Sequence, residues 1–225
     1  MSELSDRNAP ARPHVAALVF SPFQENTYVV YGTSGRAVVI DPGCYGADEE
    51  RELQRFLADA DLTPTRLLNT HGHLDHIFGN AFVAATYGLP VETHRGELPV
   101  YAAAPAVATQ YGIPFPKPSP TPTVFHEAGE SIDCGDFTFE VILAPGHSPA
   151  SIAFYCRAGG FVIGGDVLFR DSIGRTDLPG GDHATLLRSI REQFLVLPDE
   201  TVVYPGHGPE TTIGYERTNN PFLRS

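Results

Sequence analysis

The sequence predicts an α/β protein in which two sheets pack together and helices cover their outer sides. Three observations point there. Strand-like stretches rich in Val, Ile and aromatic residues fall in two groups, helical stretches separate and follow them, and no linker or shift in composition divides the chain. With 225 residues, 42% of them hydrophobic, such a core can be filled.

Residues 1–13 are polar and broken by prolines, so a disordered tail is expected ahead of one domain over 14–225. Three strands are then expected, at His14–Phe20, Asn26–Tyr31 and Ala37–Ile40, each bounded by Pro, Gly or Asn. The period changes over Ala47–Ala60. There Leu53, Phe56, Leu57 and Ala60 share a helix face, and Asp48, Glu49 and Glu50 suit the positive end of the helix dipole. Arg66–Asn69 reads as a short strand, Ile77–Tyr87 as a helix, Val91–Thr93 as a strand and Glu97–Ala103 as a short helix.

Alternating prolines from Pro114 to Pro122 dictate an extended, polyproline-like chain at the surface. It is either an inert excursion or a lip over a site, with Tyr111 and Phe115 as contacts. Further strands are expected at Thr123–Phe125, Phe137–Leu143, Ser151–Cys156 and Phe161–Ile163. A helix follows over His183–Val196, capped by Asp182, and a last strand over Thr201–Tyr204.

The formal charge of −12 disfavours phosphate backbones and anionic membranes, which excludes nucleic acid and the membrane surface as expected partners. Lys117 is the single lysine, a bias that either a salty cytoplasm or an arginine-rich genome would produce. Cys44, Cys134 and Cys156 are dispersed, with no metal-finger spacing, and read as reduced, buried thiols. With no signal-like or membrane-spanning apolar run, a soluble, cytoplasmic protein is expected. The oligomeric state is not legible.

Chemistry concentrates in Thr70-His71-Gly72-His73-Leu74-Asp75-His76. In an extended segment His71 and His73 project to one side, and a turn at Leu74 would send Asp75 and His76 toward a second ion. Imidazole and carboxylate suit Zn²⁺, Fe or Mn²⁺. Three more candidates end predicted strands after glycine: His147 through Ala144-Pro145-Gly146, Asp166 through Gly164-Gly165, and His207 through Pro205-Gly206. Donors at several strand ends can converge on one sheet edge, and the glycines allow tight backbone there. His14, His94, His126 and His183 stand alone and read as structural.

These residues resemble the metallo-β-lactamase superfamily and, within it, a short glyoxalase II-like branch of hydroxyacylglutathione hydrolases. Asp41-Pro42-Gly43, Pro145-Gly146-His147-Ser148, Gly165-Asp166, Pro205-Gly206-His207-Gly208, Gly174-Arg175-Thr176-Asp177 and Glu216-Arg217 carry the likeness beside the histidine motif. The resemblance implies an αββα sandwich, two mixed sheets flanked by helices, with two divalent metal ions, zinc first and iron or manganese as alternatives, at one edge. It implies that His71, His73 and His147 hold one ion, that Asp75, His76 and His207 hold the other, and that Asp166 bridges them. Asp41 would orient a ligand or simply end a strand. Tyr215 and Arg217 would reach a substrate anion or lie at the surface.

Two ions sharing a water can lower its pKa to about 7, so a metal-bridging hydroxide, oriented by Asp75, would attack a carbonyl. A thiolate, with a thiol pKa near ~8.5, leaves without a strong acid. The expected activity is therefore hydrolysis of a small-molecule thioester such as an S-2-hydroxyacylglutathione. Many true β-lactamases of the superfamily use a cysteine in the second site, and no cysteine stands among the candidate donors here, so antibiotic hydrolysis is not expected. Persulfide dioxygenases resemble the sequence too and imply one iron on His71, His147 and Asp166. Lactone or phosphoester hydrolysis and a non-catalytic metal-binding module are further alternatives. The short stretch after His207 lacks the helical domain of long glyoxalase II enzymes, which puts glutathione contacts in question.

Overall fold

Alternation along the strands builds the layers. In the computed structural model, which describes residues 12–115 and 117–224, Val29 and Val39 point one way, to Leu53, Leu57 and Val83 of the helices. Their neighbours Val30 and Val38 point the other way, to Phe139, Phe154 and Ile163 of a second sheet. Strands buried on both faces read as near-continuous apolar runs, and for that reason they stood out in the sequence. The tail expected over 1–13 falls, up to residue 11, outside the described residues.

The first sheet runs β1 (His14–Phe20), β2 (Glu25–Tyr31), β3 (Arg36–Ile40), β4 (Thr63–Leu68), β5 (Val91–Thr93) and β6 (Val124–Phe125), in that order. Its first three strands are antiparallel neighbours, and β3 to β6 are parallel. The parallel steps need crossovers, supplied by α1 (Ala47–Asp59), α2 (Asn80–Tyr87) and α3 (Leu98–Gln110).

The second sheet contains β7 (Ser131–Asp133), β8 (Thr138–Leu143), β9 (Ile152–Cys156) and β10 (Phe161–Gly165). A small hairpin, β11 (Leu168–Phe169) with β12 (Ser172–Ile173), and helix α4 (His183–Ser189) follow. Then come β13 (Val202–Pro205), β14 (Thr211–Thr212) and α5 (Ile213–Asn219). Their order across the sheet is β14-β13-β10-β9-β8-β7, with β10 and β13 parallel. Leu186, Ile190, Phe194 and Ile213 cover its outer face. The result is two mixed sheets flanked by helices, as expected.

Several boundaries differ. The helix expected to end at Ala103 continues through Pro105 to Gln110, because the alanine-rich turns around the proline are strong helix formers. The helix expected over His183–Val196 is capped by Asp182, whose carboxylate accepts from Thr185 N at 2.7 Å, but it widens into a π-turn at Ile190–Phe194. β7, the β11–β12 hairpin and β14 are two or three residues long, too short to show a period. α5 escaped notice as well; Thr212 caps it by accepting from Tyr215 N.

Candidate metal centre

β4 ends at Leu68, and the chain runs on as an extended loop until a 3₁₀ turn at Leu74–His76. The turn divides the motif. His71 and His73 group with His147, while Asp75 and His76 group with His207, the donor atoms of each trio lying within 4.8 Å of one another. Asp166 stands between them. Its Oδ2 lies 3.4 Å from His147 Nε2 and 3.6 Å from His207 Nε2, and its Oδ1 lies 3.4 Å from His76 Nε2. His73 Nδ1 is 2.9 Å from His147 Nε2, and His207 Nε2 is 3.1 Å from Asp75 Oδ2. All seven predicted donors therefore meet in one place.

The parallel pairing of β10 with β13, which sets Gly165 opposite Pro205, brings Asp166 and His207 side by side. Glycine is required nearby: a side chain on Gly206 would collide with the Asp166 carboxylate and the His76 ring. Gly146, at φ 129°, packs its backbone against that of Leu186 and turns His147 inward.

The outward nitrogens of four rings are held. His71 Nδ1 donates to Thr70 Oγ1 at 3.0 Å, and His147 Nδ1 donates to the Arg175 carbonyl at 2.8 Å. His207 Nδ1 donates to the carbonyls of Phe23 and Gln24, and His76 Nδ1 donates to Asp41 Oδ2 at 3.1 Å. Each such bond aims the other ring nitrogen at the centre. His71 Nε2, His76 Nε2 and Asp166 Oδ1 are buried there with no hydrogen-bond partner. Buried lone pairs left without a partner are costly, and coordination of a cation would satisfy all three. The residues present fit two divalent ions.

Charge agrees with that fit. Burial, with the surrounding imidazoles, pushes His71 well below the usual imidazole range and His73 down to about 3. Burial opposes ionisation of Asp166 and Asp75, yet the neighbouring histidines, His76 foremost, hold both below the ordinary carboxylate range. Burial likewise opposes charge on His76 and His207, but Asp166 and Asp75 carry both above the imidazole range. The carboxylates thus favour positive charge at this point; His71 and His73 are neutral already, and His76 and His207 would give up a proton to a cation bound there.

Asp41, at the end of β3 with φ 49°, touches both alternatives the sequence leaves open. It is a left-handed turn residue, and its carboxylate accepts from Thr70 N at 2.7 Å, from Thr70 Oγ1 at 2.6 Å, from Asn69 Nδ2 at 3.2 Å and from His76. Sequence reasoning missed other members. Buried Glu97 accepts from Gly72 N, Ala150 N and the Ser148 hydroxyl, tying the histidine motif to the His147 loop. Asn26 Nδ2 donates to the carbonyls of Pro205 and Gly208, holding the His207 loop on β2. Buried Glu25 lies 3.9 Å from His76 Nδ1, and burial drives its carboxyl well up toward the neutral form.

Tyr215 and Arg217 are not brought to the centre. Tyr215 donates to Asp171, and Arg217 is engaged by Leu195 O and Asp199, because α5 packs on the far side of β13 and β14. The four lone histidines have local partners or simple positions. His14 stacks on Tyr31, His94 accepts from Gly96 N, His126 bridges Glu92 and Glu130, and exposed His183 opens α4. All three cysteines are free and buried, and burial pushes the Cys134 thiol up to about 12.

A cavity of about 670 Å³ opens over the centre. Tyr111, which caps the end of α3, lines it, whereas Phe115 packs on Phe78 and none of the described residues of the proline-rich stretch lines the cavity, so the expected lip is not seen there. Among the described residues, no helix is long and apolar enough to cross a membrane.

Residues 20–207 match the family model of the metallo-beta-lactamase superfamily. The chain is 35% identical over 213 residues to hydroxyacylglutathione hydrolase GloC of Haemophilus influenzae, covering 94% of this chain and 99% of that protein. Among solved structures it is similar to the BLEG-1 B3 metallo-beta-lactamase, with a TM-score of 0.86, 39% identity and coverage of 94% and 100% of the two chains. It is also similar to TTHA1623 in a di-iron-bound form, with a TM-score of 0.83, 42% identity and coverage of 93% and 100%.

Proposed function

This chain belongs to the metallo-β-lactamase superfamily, and from that membership and its site we propose that it is a two-metal hydrolase of thioesters. The observation that carries the reading is Asp166, whose carboxylate stands between the two donor groups, Oδ2 near both His147 and His207 and Oδ1 near His76. His71, His73 and His147 would hold one ion, Asp75, His76 and His207 the other, and Asp166 both. Zinc suits such imidazole and carboxylate donors, and the di-iron form of TTHA1623 makes iron the alternative.

When bound, the ions supply a water acidified to near neutrality and an electrophile for the carbonyl oxygen. The chain's own residues do the rest. Asp75, ionised at neutral pH and lining the cavity, would orient the attacking water and accept its hydrogen bond. Apolar walls above exclude bulk water, and a thiolate departs unassisted. Similarity to GloC makes S-lactoylglutathione the first substrate to assay, and similarity to BLEG-1 adds a β-lactam as a second.

The test is metal content per purified chain, followed by hydrolysis of S-lactoylglutathione and simple thioesters, β-lactam cleavage, and oxygen uptake with glutathione persulfide. About two ions with thioester cleavage supports the proposal. One iron with oxygen uptake, or β-lactam cleavage without thioester cleavage, overturns it.

A further inference from the structure

The cavity over the metal centre is polar mainly at its floor. His73, Asp75, His147, Asp166 and His207 lie there, and the walls are carbon. One wall is the face of α3 that carries Pro99, Val100, Ala103 and Val107, spaced so that they line one side of the helix. Pro149 and Leu178 add further apolar lining.

Among the described lining residues, only Tyr111 and Arg175 add polar side chains above the floor. The Arg175 guanidinium is already matched, since its Nε and Nη2 both donate to the Asp177 carboxylate at 2.7 Å. A substrate with several carboxylates would therefore find no uncompensated cation on these walls, and the chain's charge of −12 would repel it further. A hydrocarbon group would instead cover apolar surface at no polar cost, with its carbonyl left at the floor.

We propose that the preferred substrate is a thioester bearing an apolar group of several carbon atoms, and that Ala103 and Val107 set how large that group can be. The inference rests on the thioester reading above and narrows it. Full burial strengthens binding by about fourfold per methylene, so chain length should be visible in both kinetics and affinity.

The experiment uses the full, metal-loaded chain in two arms. In the first, acetyl, butyryl, hexanoyl and octanoyl thioesters of one small thiol are compared with S-lactoylglutathione. We expect kcat/KM to rise at least about tenfold from acetyl to hexanoyl and to exceed that for S-lactoylglutathione. In the second, uncleavable methyl ketones of matching length are titrated calorimetrically, with Kd falling as the chain grows. Ala103 is exposed to the cavity, so Ala103→Phe narrows it without disturbing the core. It should cut the hexanoyl-to-acetyl ratio by about tenfold, whereas Val107→Ala should move the optimum to a longer chain.

A flat chain-length series, preference for S-lactoylglutathione over every alkyl thioester, or an unchanged ratio in Ala103→Phe overturns the inference. If no thioester is cleaved, the thioester reading falls, and the ketone titration then decides the cavity alone. Length-dependent affinity upholds an apolar site, and length-independent affinity removes it.

Discussion

The two sheets furnish the centre in different ways. The first delivers four candidate donors from one loop after β4, within six positions of sequence. The second delivers three donors singly, after β8, β10 and β13. Their supports differ as well. His71 and His76 are aimed by side chains, Thr70 and Asp41, whereas His147 and His207 are aimed by backbone carbonyls of Arg175, Phe23 and Gln24. A side-chain support can be removed by one substitution. A carbonyl support yields only when the backbone moves. The first half of the centre is therefore the more open to mutation, and the second depends more on sheet register.

The sharpest break of that comparison is at Asp166, which faces both donor groups. Asp166→Ala should lower hydrolysis by more than the roughly 100-fold that marks loss of an outer support, and should reduce bound metal at both positions by elemental analysis. His73→Ala should abolish hydrolysis and lower metal content on one side only, with the melting temperature little changed. Full activity in that variant would show that the donor assignment is wrong.

Next in size is Asp41→Ala, which frees His76 and Thr70 together. We expect a loss of about 10–100-fold in metal affinity, read by competition with a chromogenic chelator. No single side-chain change behind His147 or His207 should match it. An equal loss on mutating Arg175 to Ala, which keeps the carbonyl, would erase the distinction between the two halves.

Glu97 links them, and Glu97→Gln keeps one good acceptor while losing the charge. Its three buried hydrogen bonds put the expected loss of stability at about 2–3 kcal/mol, measured by urea denaturation, with the surviving folded enzyme still binding metal. A loss of metal with unchanged stability would instead place Glu97 in the centre itself.

The smallest effect lies at the edge of the first sheet. Burial opposes charge on His126, but hydrogen bonds and charge from Glu92 and Glu130 raise its pKa above the ordinary imidazole value. A raised folded pKa gives stability that is complete below the unfolded value of about 6.5 and fades as pH climbs past the folded one. The stability gap between the wild type and His126→Gln should therefore be wider near about pH 5.5 than near about pH 9, by under about 1 kcal/mol. A gap that widens with pH would reverse the sign of the interaction.

The contrast between the halves also governed what could be read in advance. The HxHxDH run needed only local density to be noticed, and the Gly-His and Gly-Asp strand ends needed only the strand pattern before them. In sequence Glu97 reads as the first residue of a short helix, and Asn26 as the first residue of a strand. Nothing nearby in sequence says that one reaches Ser148 and the other Pro205. Tyr215 and Arg217 looked available to a substrate because helix α5 was not foreseen, and that helix turns them toward Asp171 and Asp199.

By itself, the sequence determined the donor types, their positions at strand ends, the layered α/β class and the break at Leu74. Those depend on side-chain alternation and turn chemistry, which act over a few residues. Tertiary structure alone decided how near the distant candidate donors come to one another, that Glu97 and Asn26 tie their loops together, and that carbon walls the cavity above them. Those relations are set by strand register and by sheet-on-sheet packing, which join residues far apart in the chain, such as His73 with His147 and Asn26 with Pro205, and leave no local trace in it.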